Sequence, residues 1–226
     1  MESLEKQGGD MKHLLMCLIC LGVFAAATAT PAAAAPGMIK NGNGAWTTHY
    51  AGPHNATENT CDFGLTDCTG QLDVDAPAGP GRFDVYIIAT DVAGIASTRF
   101  GLPCSGGFSF YGWTGCADSE TPESGWPACG KGITLNWAAE QPGPFVTLGV
   151  LDLYVYGTSV FCSGPDPRLG SAEFCDATMP TPICVQLSNS WRFGCVGFGT
   201  SGYASCPGPD NSSEYTWGII KSLYRD

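Results

Sequence analysis

Ten cysteines spread between Cys61 and Cys206 restrict this chain more than any other feature. They are Cys61, Cys68, Cys104, Cys116, Cys129, Cys162, Cys175, Cys184, Cys195 and Cys206. The nearest two, Cys61 and Cys68, have six residues between them. A structural zinc site draws its ligands from closer pairs such as Cys-x-x-Cys, so no metal is expected among these thiols. An even, dispersed set predicts five disulfides formed in an oxidising compartment. Ten thiols allow on the order of 900 pairings, of which sequence proximity suggests the local clips Cys61–Cys68 and Cys195–Cys206.

The N-terminal region agrees with export. Lys12 and His13 precede an apolar run from Leu14 to Ala29 and then the small residues ATPAAAAP, the pattern of a secretory signal peptide. Residues 1–34 are expected to be that signal, with Met11 an alternative start because the ten residues before it are polar. The mature chain is expected to begin between Thr30 and Gly37. Neither Cys17 nor Cys20 follows the small residues a lipid anchor requires. Beyond the signal there is no apolar run of about 18 residues, so no membrane span is expected.

Without residues 1–34 the chain keeps 18 acidic and 8 basic residues, a net charge of −10. Such a surface repels phosphate backbones and argues against a nucleic-acid partner. The remaining length suits one domain, expected over residues 37–206 with a tail at 207–226.

Helical periodicity is scarce, while short alternating runs recur between Gly, Pro, Ser and Asp clusters. This is an all-β pattern. Candidate strands are Trp46 to Tyr50, Gln71 to Asp75, Arg82 to Thr90, Ile95 to Leu102, Gly107 to Trp113, Ile133 to Ala139, Phe145 to Tyr156, Ile183 to Leu187 and Arg192 to Phe198. They predict a two-sheet sandwich with each sheet burying one face. Phe83, Val85, Ile87 and Ala89 share the face expected to meet the core. Asp91 and Gly94 carry turn chemistry, so the second of these strands is expected to fold back on the first as a hairpin. In FVTLGVLDLYVYG the apolar parity flips at Val150-Leu151, which predicts a β-bulge near Gly149 to Asp152. Ala117 to Gly132, Ser163 to Pro182 and Pro207 to Ser213 read as long loops.

The runs GRFDVYIIATDVAGIASTRFGL and FVTLGVLDLYVYG resemble cohesin-like and related bacterial β-sandwich domains. The resemblance implies an Ig-like or cohesin-like β-sandwich; the cysteines, which are foreign to cohesins, and the long connecting segments make the expected fold a disulfide-stabilised Ig-like or cohesin-like β-sandwich with long loops. Pro103-Cys104 stands where cohesins carry Tyr-Asp, so dockerin binding is not carried over. The ending TWGIIKSLYR is similar to that of Cys-rich exported bacterial proteins with a WGxxKxLYR-type tail, which implies bacterial export and no catalytic residues. Trp217, Ile220 and Tyr224 also fall at helical spacing, as in a short amphipathic helix; a frayed terminus or last strand is the favoured reading of this tail, and a sorting or attachment signal the alternative.

Signatures of chemistry are sparse. There is no Walker loop, no His-Glu-x-x-His, and the nearest serine-elbow match, Gly199 to Tyr203, lacks its final glycine. His49 and His54 are separated by Pro53, which opposes a shared helix face, and read as loop residues. Asp84, Glu140 and Asp152 interrupt or adjoin apolar strands and are the acids to inspect as a carboxylate pair for glycoside hydrolysis. Asp73-Val74-Asp75 reads as a solvated strand edge rather than a calcium loop. Tyr111, Trp113 and Trp126 are the candidate ligand-binding aromatics, although core packing is the favoured role for this aromatic run. The expectation is a secreted, non-catalytic surface or binding module without a cofactor, its partner a glycan or a cell-envelope protein; the alternative is a secreted glycan-active hydrolase.

Overall fold

A computed structural model describes residues 40–206, except 56, 58, 59, 69 and 105. The expected signal peptide and the C-terminal tail lie outside the described residues.

Among the described residues, twelve strands follow in order: β1 (Ala45–Pro53), β2 (Asp75–Ala76), β3 (Gly81–Thr90), β4 (Gly94–Leu102), β5 (Phe108–Gly115), β6 (Ser119–Pro122), β7 (Lys131–Pro142), β8 (Val146–Val155), β9 (Ser159–Cys162), β10 (Ala172–Cys175), β11 (Cys184–Leu187) and β12 (Cys195–Phe198). The one helical turn among the described residues is a short 3-10 turn at Ser190–Arg192. A four-stranded sheet runs β1-β3-β8-β5, a five-stranded sheet β11-β10-β4-β7-β6, and a small third sheet β2-β12-β9. All pairs are antiparallel except β2 with β12.

Phe83, Val85, Ile87, Leu151 and Leu153 of the first sheet share one buried cluster with Ile95, Phe100, Leu102, Ile133, Leu135 and Phe174 of the second. The fold is a disulfide-stabilised β-sandwich. Trp46 of β1 joins the layers, its ring stacked 3.9 Å from Phe174 of β10. The third sheet extends the same core through Phe161, Val196 and Phe198.

The expected hairpin is not one. β3 and β4 flank a tight turn, with Asp91 in the left-handed region (φ 53), a conformation that Asp tolerates better than most residues. Yet β3 pairs with β1 and β8, and β4 pairs with β7 and β10. The turn therefore carries the chain from one sheet to the other, with the Asn41 side chain accepting hydrogen bonds from the Ala93 and Gly94 amides. Gly94 serves close packing rather than a special φ, because a Cβ there would collide with the Glu140 side chain.

β8 carries a bulge, but one residue before the expected Gly149 to Asp152, through which the ladder with β3 runs unbroken. Ile87 pairs with Gly149 and Ile88 with Thr147, which leaves Leu148 as the extra residue. The parity flip resolves as two destinations rather than one. Leu148 and Leu151 enter the main core, while Val150 joins a second cluster on the opposite face.

Five disulfides are present among the described residues, but neither expected local clip is among them. The pairs are Cys61–Cys116, Cys68–Cys206, Cys104–Cys129, Cys162–Cys195 and Cys175–Cys184. Two of them join residues already opposite each other in a ladder, Cys162 with Cys195 and Cys175 with Cys184. Cys61 and Cys68 instead fasten the two ends of a segment that crosses a sheet, so nearness in sequence misleads. Strands β6 and β10 fall inside two of the expected loops, β9 was not foreseen, and of Gln71 to Asp75 only Asp75 is in a strand.

Candidate functional site

The outer face of the four-stranded sheet divides into two parts. Over one part lies the segment 61–72, whose Phe63, Leu65, Cys68 and Leu72 pack with Tyr86, Ile88, Val150 and Phe145. His49 of β1 belongs here too, stacked 4.6 Å from Phe63, with its Nδ1 accepting the Asp73 amide at 2.8 Å. Burial lowers the His49 pKa from its ordinary value, against the smaller opposing pull of Asp73. His49 is thus a strand residue under a roof, not a loop residue.

The other part is polar, with a buried centre and an exposed, open rim. Alternation along β3 and β8 brings Arg82 and Asp84, Asp152 and Tyr154 to the same side as Tyr86. Register then sets them in rows: Gly52, Asp84, Asp152 and Gly112 are successive cross-strand partners, and Arg82, Tyr154 and Ser109 form the next row. Asp84 and Asp152 are therefore direct neighbours, and both are buried.

Each carboxylate is held by protein donors. Asp84 Oδ2 accepts the Asn55 amide at 2.9 Å, and its Oδ1 lies 2.8 Å from His54 Nδ1. Arg82 donates to both oxygens of Asp152, with Nε 2.7 Å from Oδ1. That hydrogen bonding is the leading cause raising the Arg82 pKa above its ordinary value. His54 Nδ1 is 3.6 Å from Asp152 Oδ1. His54 reaches this position because β1 shifts register between Tyr50 and Gly52, where Gly52 adopts a positive φ of 119°.

Tyrosines border this polar row. A register shift in β5 between Phe110 and Gly112 leaves Tyr111 as an extra residue, 62% exposed and with its ring 4.8 Å from the Arg82 guanidinium carbon. Tyr156 is 60% exposed, contacts Tyr154 edge to face at 5.1 Å, and its hydroxyl is 2.7 Å from Ser109 Oγ.

The three aromatics singled out from sequence do not converge. Trp113 and Trp126 meet edge to face at 5.5 Å, each also contacts Phe100, and both pack against the core. Trp113 Nε1 donates to the Glu120 carboxylate. Tyr111 stands apart on the outer face. Of the acids, Asp84 and Asp152 come together whereas Glu140 pairs with Lys40 elsewhere. Sequence reasoning missed Arg82, Tyr154 and Tyr156, and treated His54 separately from the acids. A shallow cavity of about 500 Å³ lies apart from this face, lined by Glu123, Ser124, Gly130, Lys131, Pro167 and Arg168.

No family model and no curated protein matches the chain. Among solved structures, the chain is similar to a cohesin module from a Clostridium perfringens ATCC13124 family 33 glycoside hydrolase. The TM-score is 0.41 at 11% identity, over 68% of this chain and 95% of that one. The functional reading therefore rests on the site itself.

Proposed function

We propose that the chain is a secreted, non-catalytic binding module that holds a glycan on the open half of the four-stranded sheet. The observation that carries this reading is the exposed Tyr111 beside a fixed guanidinium, with the exposed Tyr156 next to Tyr154 and Ser109 in the neighbouring row. Aromatic rings offer a sugar an apolar platform for its C–H face. Fixed polar groups give its hydroxyls direction. Arg82 spends two of its five donors on Asp152, and a guanidinium has three more to offer. The net charge of −10 without residues 1–34 disfavours a polyanionic glycan, so a neutral polysaccharide fits best.

Five disulfides suit an extracellular setting. No helix of the described residues is long and apolar enough to cross a membrane. The hydrolase alternative would use Asp84 and Asp152 as its carboxylate pair. Their burial and their occupied oxygens weigh against a free acid and a free nucleophile. Affinity electrophoresis of the mature protein against neutral and acidic polysaccharides tests the proposal, with sugar release measured in parallel. Retardation by a neutral polysaccharide that weakens in Tyr111→Ala and Tyr156→Ala supports it. Sugar release abolished in Asp152→Asn, or no retardation by any glycan, sinks it.

A further inference from the structure

We propose that His54, Asp84 and Asp152 form a binding site for one divalent transition cation of the zinc class. Each side chain offers one ligand atom, and these atoms all lie within 4.8 Å of one another. A tetrahedral ion with bonds of 2.0 to 2.1 Å separates its ligands by about 3.3 Å. His54 Nδ1 lies 2.8 Å from Asp84 Oδ1 and 3.6 Å from Asp152 Oδ1, which brackets that separation. Two of the three separations thus lie close to the value a coordination shell needs, and the third is no more than 4.8 Å.

Two further features favour a cation here. Asp84 and Asp152 are direct cross-strand partners, an arrangement that is unfavourable for like charges, and both are buried. Arg82 offsets Asp152 through a two-pronged contact and attracts Asp84 without a hydrogen bond to it, while the Asp84 oxygens are met by the Asn55 amide and His54. A divalent ion at the centre would offset both carboxylates at once. The outer oxygens are also anchored as ligand carboxylates require: Asn55 N–H holds Asp84 Oδ2 and Arg82 Nη2 holds Asp152 Oδ2. The two Oδ1 atoms face His54. Arg82 Nε takes one lone pair of Asp152 Oδ1, and the second remains for the ion.

Room for a fourth ligand comes from the glycines at the two ends of the row. A Cβ on Gly52 would meet nothing within 4 Å, and one on Gly112 would meet only Asp152, at 3.9 Å. Three protein ligands with one open position is the arrangement in which zinc binds water or an exogenous hydroxyl. Calcium is a poor fit, because it takes six to eight oxygens and not an imidazole. The second cluster of potential ligands, Glu173, Cys175 and Cys184, is closed to metal because its sulfurs form a disulfide.

The inference stands independently of the glycan reading, since the test contains no sugar. Tag-free mature protein is stripped with a chelator, dialysed at neutral pH and titrated calorimetrically with zinc chloride and, separately, calcium chloride. The expected result is one zinc per chain with Kd below about 10 μM, together with a raised melting temperature. His54→Gln and Asp84→Asn should each weaken binding at least about tenfold. His49→Gln should leave it unchanged, because His49 lies under the roof. His54 is only partly buried, so His54→Gln keeps the test decisive where Asp84→Asn fails to fold, with near-ultraviolet circular dichroism reporting the fold. No zinc heat in the wild type, calcium binding in place of zinc, or unaltered affinity in His54→Gln overturns the site and leaves the triad as an internal ion pair network.

Discussion

The two parts of the outer sheet face differ although the same strands build both. Asp84 and Tyr86 are two residues apart on β3 and point the same way. Tyr86 meets Phe63 at 4.8 Å under the segment 61–72, whereas Asp84, also buried, lies outside that segment against His54 and the Asn55 amide. What separates their surroundings is not strand alternation but a covering segment fixed at both ends, through Cys61–Cys116 and Cys68–Cys206. One sheet face thus serves as a second hydrophobic core along part of its length and as a polar, tyrosine-edged surface along the rest.

The sharpest way to break this contrast is to truncate one residue in each part. Ile88 is fully buried beneath the roof, and Ile88→Ala is expected to destabilise by roughly 2 to 5 kcal/mol. Tyr156→Ala, on the open part, should stay within about 0.5 kcal/mol. Urea denaturation of both variants checks this, and equal losses would dissolve the distinction. Next comes the roof's fastening. Replacing Cys68 and Cys206 together by Ala should cost roughly 2 to 4 kcal/mol and raise hydrogen exchange in 61–72 before it rises in β3. Unchanged exchange in that segment would show that packing alone holds the roof.

The open part should respond in binding rather than stability. Tyr111→Ala and Tyr156→Ala are each expected to weaken glycan retention about five- to tenfold, the equivalent of about 1 to 1.4 kcal/mol, at unchanged melting temperature. A loss of stability without loss of retention would move these rings from the ligand to the scaffold.

Much of the framework was legible in the sequence, and the reasons differ by element. β3 and β8 announced themselves by length and alternation, whereas the parity flip in β8 put its bulge at Gly149 to Asp152 rather than at Leu148. β6 was invisible because Ser119–Pro122 is exposed throughout and shows no alternation. The β3–β4 connection was misread because turn chemistry specifies a reversal, not whether the returning strand rejoins the same sheet. The adjacent pair Ile87-Ile88 did carry a trace of the covered second face, since one of two consecutive isoleucines must point away from the main core. Asp84 and Asp152 stood out as charges within apolar strands. Their meeting with His54 depends on the register of three strands and a bulge in β1, which no local pattern encodes.

The gentlest way to sharpen the contrast is pH, acting on the roof through His49. Its folded pKa lies below the ordinary value of 6.5 because burial disfavours the imidazolium. Above that value both folded and unfolded chains hold it neutral, and its contribution to stability is complete. As pH falls through 6.5 the unfolded chain takes up the proton first, so stability declines until the folded value is reached and then levels off. Protonation of Nδ1 also removes the acceptor that receives the Asp73 amide, which ties the loss to the edge of the roof. Urea midpoints of the wild type and His49→Gln, compared from about pH 7.5 to about pH 5, isolate this contribution from other titrating groups. The expected outcome is a steeper decline in the wild type, accompanied by faster hydrogen exchange in 61–72 than at Asp84 and Asp152. Parallel curves for the two proteins would mean that His49 does not couple acid to the roof, and that the covered and open parts of the face respond to pH as one.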